Sequence, residues 1–254
     1  MEEKNFLNNF SEPINNLTNP LATGIGSSLE DIWFLTIGGP IELAANKRKM
    51  KYARRLEQFK IELEQQIKLI PAEHRTEPNF QIAAQALDDS KYCLECDELR
   101  AMIAKLLSKT MDSAVQNLLH PSFPDIIKQM NAYDAKLIAT LKMIGSRVPL
   151  VDYISQYTDQ ERFDILQRNV LALPGLDRDL LRTSISISTL QRWGLLYVTT
   201  QQFIADEEAY TPFYDLPFYI QSLKNLSSDR KIKLEKGYCE LTSFGLAFAT
   251  CCVP

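Results

Sequence analysis

Glycine is scarce in this chain. Nine glycines in 254 residues, with no internal repeat, exclude a collagen-like or low-complexity protein. Twelve prolines are too few for an extended proline-rich fibre. Long apolar runs are also missing. The best candidate, residues 32–45 (IWFLTIGGPIELAA), is interrupted by Gly38, Gly39, Pro40 and Glu42. A spanning helix needs about 20 predominantly apolar residues, so this segment is expected in a core or at an interface. There is no excess of positive charge. The net charge of −4 excludes a surface built throughout to hold nucleic acid. The five cysteines, Cys93, Cys96, Cys239, Cys251 and Cys252, are an odd number. The opening MEEKNFLNNF lacks a basic segment followed by an apolar run. The expectation is a cytoplasmic chain with reduced thiols.

What is present is material for an ordinary core. The apolar fraction is 45%, and the length suits one large domain or two small ones. A chain of this size buries a core without disulfides or metals. Residues 1–28, rich in Asn, Ser, Gly and Pro, read as a loose N-terminal arm. Ser28 caps a short helix from Leu29 to about Ile37, and Gly38-Gly39-Pro40 breaks it. The next helix runs from Ile41 to about Leu69. Its stripe is Met50, Ala53, Leu56, Phe59, Leu63, Ile67 and Ile70, and Pro71 ends it. Pro78 restarts a helix through Leu87. A long buried-face helix follows, with Leu94, Leu99, Met102, Ile103, Leu106, Leu107, Met111, Ala114 and Leu118. Ser122 and Asp125 are spaced like a capping box, and Asn131 and Asp134 repeat the signal. Gly145 fits the left-handed position after a helix.

Beyond Gly145 the texture changes. Short helices fit Leu150–Tyr157, Asp159–Leu173 and Asp177–Trp193, the last closed by Gly194. The β-branched LLYVT (195–199) reads as a strand, with further strands at Lys231–Leu234 and Tyr238–Leu241. Thr242 caps a final helix. The aromatic-rich stretch 200–230 reads as an ordered insertion. The fold class is therefore mainly α. A helical domain over 29–130 is followed by a winged-helix-like region over 131–254 with a small antiparallel β element.

Several motifs suggest chemistry, and each has a plainer explanation. Cys93-x-x-Cys96 has zinc-knuckle spacing, but a lone pair in a helical run reads as buried thiols. His120 has Asp112, Ser122 and Asp125 nearby in sequence. No G-x-S-x-G elbow accompanies them, and capping explains the Ser and Asp. The acidic clusters Asp97-Glu98 and Asp206-Glu207-Glu208 read as solvated faces. No catalytic residue, metal or cofactor is expected. The most informative charged feature is Lys47, Arg48, Lys49, Lys51, Arg54 and Arg55, a run that no acid interrupts. With Trp33 and Phe34 it has the composition of an interfacial anchor for a membrane or an anionic partner. DNA contact would fall to Arg178, Arg182 and Arg192. Residues 132–254 hold thirteen Lys or Arg against fourteen Asp or Glu, which is no basic footprint.

The central stretch resembles a known family. DELRAMIAKLLSKTMD (97–112) followed by HPSFPDIIKQMNAYDAKLIATLK (120–142) is similar to the Abi-alpha group of bacterial proteins. That group carries a D/E-E-L-R-x-M segment, a Ser-Met-Asp step and an H-P-x-F-x-x-I-I-K-Q segment ending in Asp-Ala. Thr110 replaces the usual Ser. The stretches 38–60 and 70–78, and the tail QRWGLLYV with ELTSFGLAFATCC, are also similar, so the likeness covers roughly 25–250. The resemblance implies a link to abortive infection, a form of phage defence, and supplies no catalytic residues. Its signature residues here are Leu99, Arg100, Met102, Asp112, His120, Pro121, Phe123, Lys128, Gln129 and Asp134. They read as core, caps and helix junctions, with Arg100 available for an ion pair.

The expected function is thus a non-enzymatic phage-defence protein, cytoplasmic and peripheral at the inner face of the membrane. Its partners would be a protein, a phage component or a membrane surface. The alternative is a DNA-binding regulator that uses the C-terminal winged helix.

Overall fold

The computed structural model describes residues 46–175 and 179–254. The expected arm and the helix over 29–37 lie outside these residues. The described chain forms two compact units, one of 46–135 with 247–254 and one of 136–246.

The first unit is helical. Helix α1 (Asn46–Lys68) buries Leu56, Phe59 and Leu63, with Ile70 tucked in just beyond its end. The steps of three and four make one stripe, as the sequence predicts. A single 3-10 turn (Ala72–His74) follows Pro71. Helix α2 (Phe80–Cys93) starts at Asn79, whose side chain accepts the Ile82 N–H at 3.2 Å. Helix α3 (Asp97–Lys109) buries Leu99, Met102, Ile103, Leu106 and Leu107.

The apolar pattern carries α3 to Leu118, but the helix stops at Lys109. The next residues turn back onto the loop before α2. Met111 and Thr110 carbonyls accept the N–H groups of Thr76 and Asn79, each at 3.0 Å, and Ser113 donates to the His74 carbonyl at 2.8 Å. These non-local bonds replace the helical ones. Leu118 ends in an isolated 3-10 turn (Gln116–Leu118), exposed.

Helix α4 (Phe123–Gln129) is not opened by a capping box. Ser122 makes no cap, because His120 Nδ1 lies 2.7 Å from its Oγ and accepts its N–H at 3.2 Å. The second signal is realised. Asn131 Oδ1 accepts the N–H groups of Tyr133 (2.7 Å) and Asp134 (3.1 Å), and Asp134 Oδ2 accepts the Asn131 N–H at 3.0 Å. This box opens α5 (Ala132–Ile144), which ends at Gly145 with φ of +66°.

The second unit holds the largest departure from the sequence reading. The helices expected over 150–157 and 159–173 are instead strands β1 (Val148–Tyr157) and β2 (Phe163–Val170). With β3 (Leu196–Thr199) and β4 (Arg230–Leu241) they form an antiparallel sheet of order β2-β1-β4-β3. Strand β1 is central and buried from Leu150 to Ser155. A strand covered on both faces shows no alternation, so its apolar run resembles a buried helix.

Strand β2 is irregular. Pairing steps from Ile154↔Ile165 to Tyr153↔Gln167 to Val151↔Val170, so β2 carries two extra residues. The second bulge holds Asn169 at φ +53°, and the buried Asp152 accepts its N–H at 2.7 Å. Replacing Asn169 by Val should cost roughly 1–2 kcal/mol, because a β-branched residue is strained at positive φ. Asn169→Gly should be nearly neutral, and thermal melts of both variants check this.

The two expected C-terminal strands are one continuous β4. It passes β3 at Gly237, where a Cβ would sit 2.1 Å from the Thr199 carbonyl oxygen. Helix α6 (Leu180–Arg192) is capped by Asp179, which accepts the Arg182 N–H at 3.0 Å, and closed by Gly194 at φ +73°. The α6–β3–β4 order expected of a winged helix is present. The β element is nevertheless four strands, not a two-stranded wing, because β4 also pairs along the full length of β1.

The insertion is ordered. It is a 3-10 stretch (Glu207–Asp215) and helix α7 (Pro217–Lys224). Tyr210 and Phe213 are buried with Val151, Tyr153, Val170 and Leu234. Tyr210 Oη donates to the Gly237 carbonyl at 2.8 Å. Thr242 Oγ1 accepts the Gly245 N–H at 2.9 Å and opens α8 (Ser243–Cys252).

Candidate functional site

The basic run opens α1. Lys47, Arg48 and Lys49 lie in its first turn, and Lys51 and Arg54 are exposed. Steps of four and three place 47, 51 and 54 on one face. Arg55 is different. Its guanidinium meets Glu95 at 2.7 Å, so it serves the unit's own surface first. Trp33 and Phe34, and Arg178, lie outside the described residues. No described helix is long and apolar enough to cross a membrane.

The polar signature residues occupy helix junctions. Buried Arg100 on α3 donates through Nε to both Glu62 oxygens at 3.1 Å and through Nη2 to Oε1 at 2.9 Å. Its Nη1 donates to Asp97 at 2.7 Å and to the Leu94 carbonyl at 3.3 Å. Burial lowers the Arg100 pKa, but the hydrogen bonds to Glu62 and Asp97 together outweigh it and raise it. One side chain thus joins α1, α3 and the turn before α3. Buried Asp112 receives Lys109 Nζ at 2.7 Å and the Ala114 N–H at 3.1 Å, with His74 Nδ1 at 3.9 Å. It fixes the turn that ends α3.

On α4, Lys128 reaches Asp89 of α2 at 2.9 Å and Asp125 at 3.1 Å. Hydrogen bonds to Asp89 first, then Asp125, raise the Lys128 pKa. Asp89 is buried, and its Oδ2 has no hydrogen-bond partner among the described residues. Gln129 donates to Asp125 at 2.6 Å. Leu99, Met102 and Phe123 are buried and Pro121 is exposed. Phe123 meets Phe248 of α8 edge-to-face at 5.2 Å.

His120 is exposed, with its ring 6.0 Å from that of Phe123. The structure brings it to Ser122 but engages the two nearby acids elsewhere, Asp112 with Lys109 and Asp125 with Lys128 and Gln129. Cys93 and Cys96 are free thiols. Burial pushes Cys93 up to about 12, and half-buried Cys96 donates to Glu98 at 3.2 Å. Among the described residues no three His, Cys, Asp or Glu side chains gather as a metal-binding group. On α6, Arg182 and Arg192 are exposed, Arg192 lying 5.9 Å from the Trp193 ring. The helix also exposes Leu181 (64%) and Ile185 (55%).

Sequence reasoning missed Glu62 and Asp89, the partners that give Arg100 and Lys128 their roles. A signal existed for Asp89. Ile82, Ala86, Asp89 and Cys93 follow steps of four, three and four on one buried stripe. An acid on an apolar stripe needs a cation from a facing element.

The model of the abortive infection alpha family matches residues 51–252 of the chain. No curated protein and no solved structure matches it.

Proposed function

From the premise that the chain belongs to the abortive infection alpha family, which ties it to phage defence in general, we propose that it defends through contacts and carries out no chemistry of its own. One observation carries this reading. Four of the six polar residues of the family signature, Arg100, Asp112, Lys128 and Asp134, are engaged in junctions and caps inside the first unit, while His120 and Gln129 are exposed. Groups held this way position helices. The contact surface on this reading is the basic face of α1, directed at a protein or a membrane surface. A phage challenge of cells with and without the gene tests it. Fewer plaques or smaller bursts are expected for at least one phage. Equal plaque counts and burst sizes across a broad panel would contradict it. Anionic vesicles at low salt separate the lipid version from the protein version, since only the former predicts co-sedimentation.

The α6–β3–β4 order supports a second reading, a winged-helix-like DNA-binding regulator using Arg178, Arg182 and Arg192. It predicts duplex binding that weakens steeply with salt. The apolar Leu181 and Ile185 on the exposed side of α6 suit a protein contact better than a phosphate backbone, and favour the first reading.

A further inference from the structure

The insertion between β3 and β4 presents an apolar surface with a strong charge bias. Helix α7 buries none of its residues fully. Ile220 and Leu223, one turn apart, are 43% and 46% exposed. Tyr214 is exposed beside them and meets Tyr219 edge-to-face at 5.3 Å. Residues 201–229 contain five acids and one base. Glu207 is held by Lys236, and Asp206 caps the 3-10 stretch. Glu208 and Asp215 are exposed.

The complementary surface is on the same chain. Residues 46–55 contain six bases and no acid, and Lys51 and Arg54 are exposed on α1. We propose that the acidic, apolar insertion of one copy docks on the basic face of α1 of a second copy. The two surfaces differ, so copies associate either reciprocally, as a twofold dimer with two such contacts, or head-to-tail into a ring or an open chain. Opposite charge over both patches steers the encounter and fixes its orientation, while Tyr214, Ile220 and Leu223 supply apolar area. This rests on the contact reading of the α1 face and names a second copy as its partner; the self-association test can fail while the phage challenge still shows protection.

The test uses the full chain and two sign-reversed variants. One is K47E/K51E/R54E, which leaves Arg55 and its Glu95 pair intact. The other is E208K/D215K/Q221K, which leaves the Asp206 cap and the Glu207–Lys236 pair intact. Sedimentation velocity at low salt should show the wild type above the 29.0 kDa of one copy. The larger species should dissociate as salt is raised, as screening requires. Each variant alone should be monomeric, with an unchanged circular dichroism spectrum. Mixed in equal amounts, the variants should reassemble, because each now offers what the other lacks. A wild type that stays monomeric across the concentration range overturns the proposal. Variants that self-associate like the wild type, or folded variants whose mixture stays monomeric, overturn it equally.

Discussion

Arg100→Ala should lower the unfolding free energy by about 3–5 kcal/mol, because it removes one partner of a buried ion pair and leaves the other. Glu62 would be left with no guanidinium against it, and the Leu94 carbonyl would lose its side-chain donor. The Asp97 contact contributes little to this loss, since Asp97 sits at the surface, where ion pairs add at most about 1 kcal/mol. The double variant Arg100→Met with Glu62→Leu should recover most of the stability, because no buried charge is left unpaired. Urea unfolding of the three chains checks the ordering. A single variant within about 0.5 kcal/mol of wild type would show that Arg100 is not a junction fastener.

Phe123→Ala should cost about 3–5 kcal/mol, the usual range for removing a fully buried aromatic ring. Phe123 is buried at the start of α4 and its ring meets Phe248, so truncation opens a cavity and loosens α8 from α4. Phe123→Leu should cost about 1.5 kcal/mol or less, since it refills most of that volume. Leu118→Ser provides the contrast. Leu118 belongs to the same sequence pattern as Leu107, yet it is exposed, and its replacement should change stability by less than about 0.5 kcal/mol. Chemical unfolding curves separate these outcomes.

The contrast between Leu107 and Leu118 shows where the sequence stops being readable. Local signals were legible because their physics is local. The stripe of α1, the Asn131–Asp134 box, the left-handed Gly145 and Gly194, and the Thr242 cap each depend on residues within a few positions. The end of α3 depends on backbone bonds to residues 74–79, more than thirty positions away, and the apolar pattern runs through it unmarked. Ser122 has the right type and spacing for a cap, but its own neighbour His120 engages it. Strands β1 and β2 resemble helices in sequence for two different reasons. Central β1 is buried on both faces and shows no period of two. Edge strand β2 loses its period at its two bulges. The family resemblance was legible in 97–142 because those residues lie close in sequence, whereas Glu62 and Asp89, which complete the junctions, lie outside that stretch.

Arg100, Asp112, Lys128 and Asp134 act as fasteners between helices and turns. The most direct test takes one fastener out without unfolding the chain. Asp89 Oδ2 lacks a hydrogen-bond partner among the described residues, so Asp89→Leu with Lys128→Met should leave stability unchanged or raised. In cells where the wild-type chain lowers the plaque count, this folded variant should lower it equally. A variant that melts at or above the wild-type temperature but gives no protection would assign Asp89 or Lys128 a direct role in function, and would contradict the account.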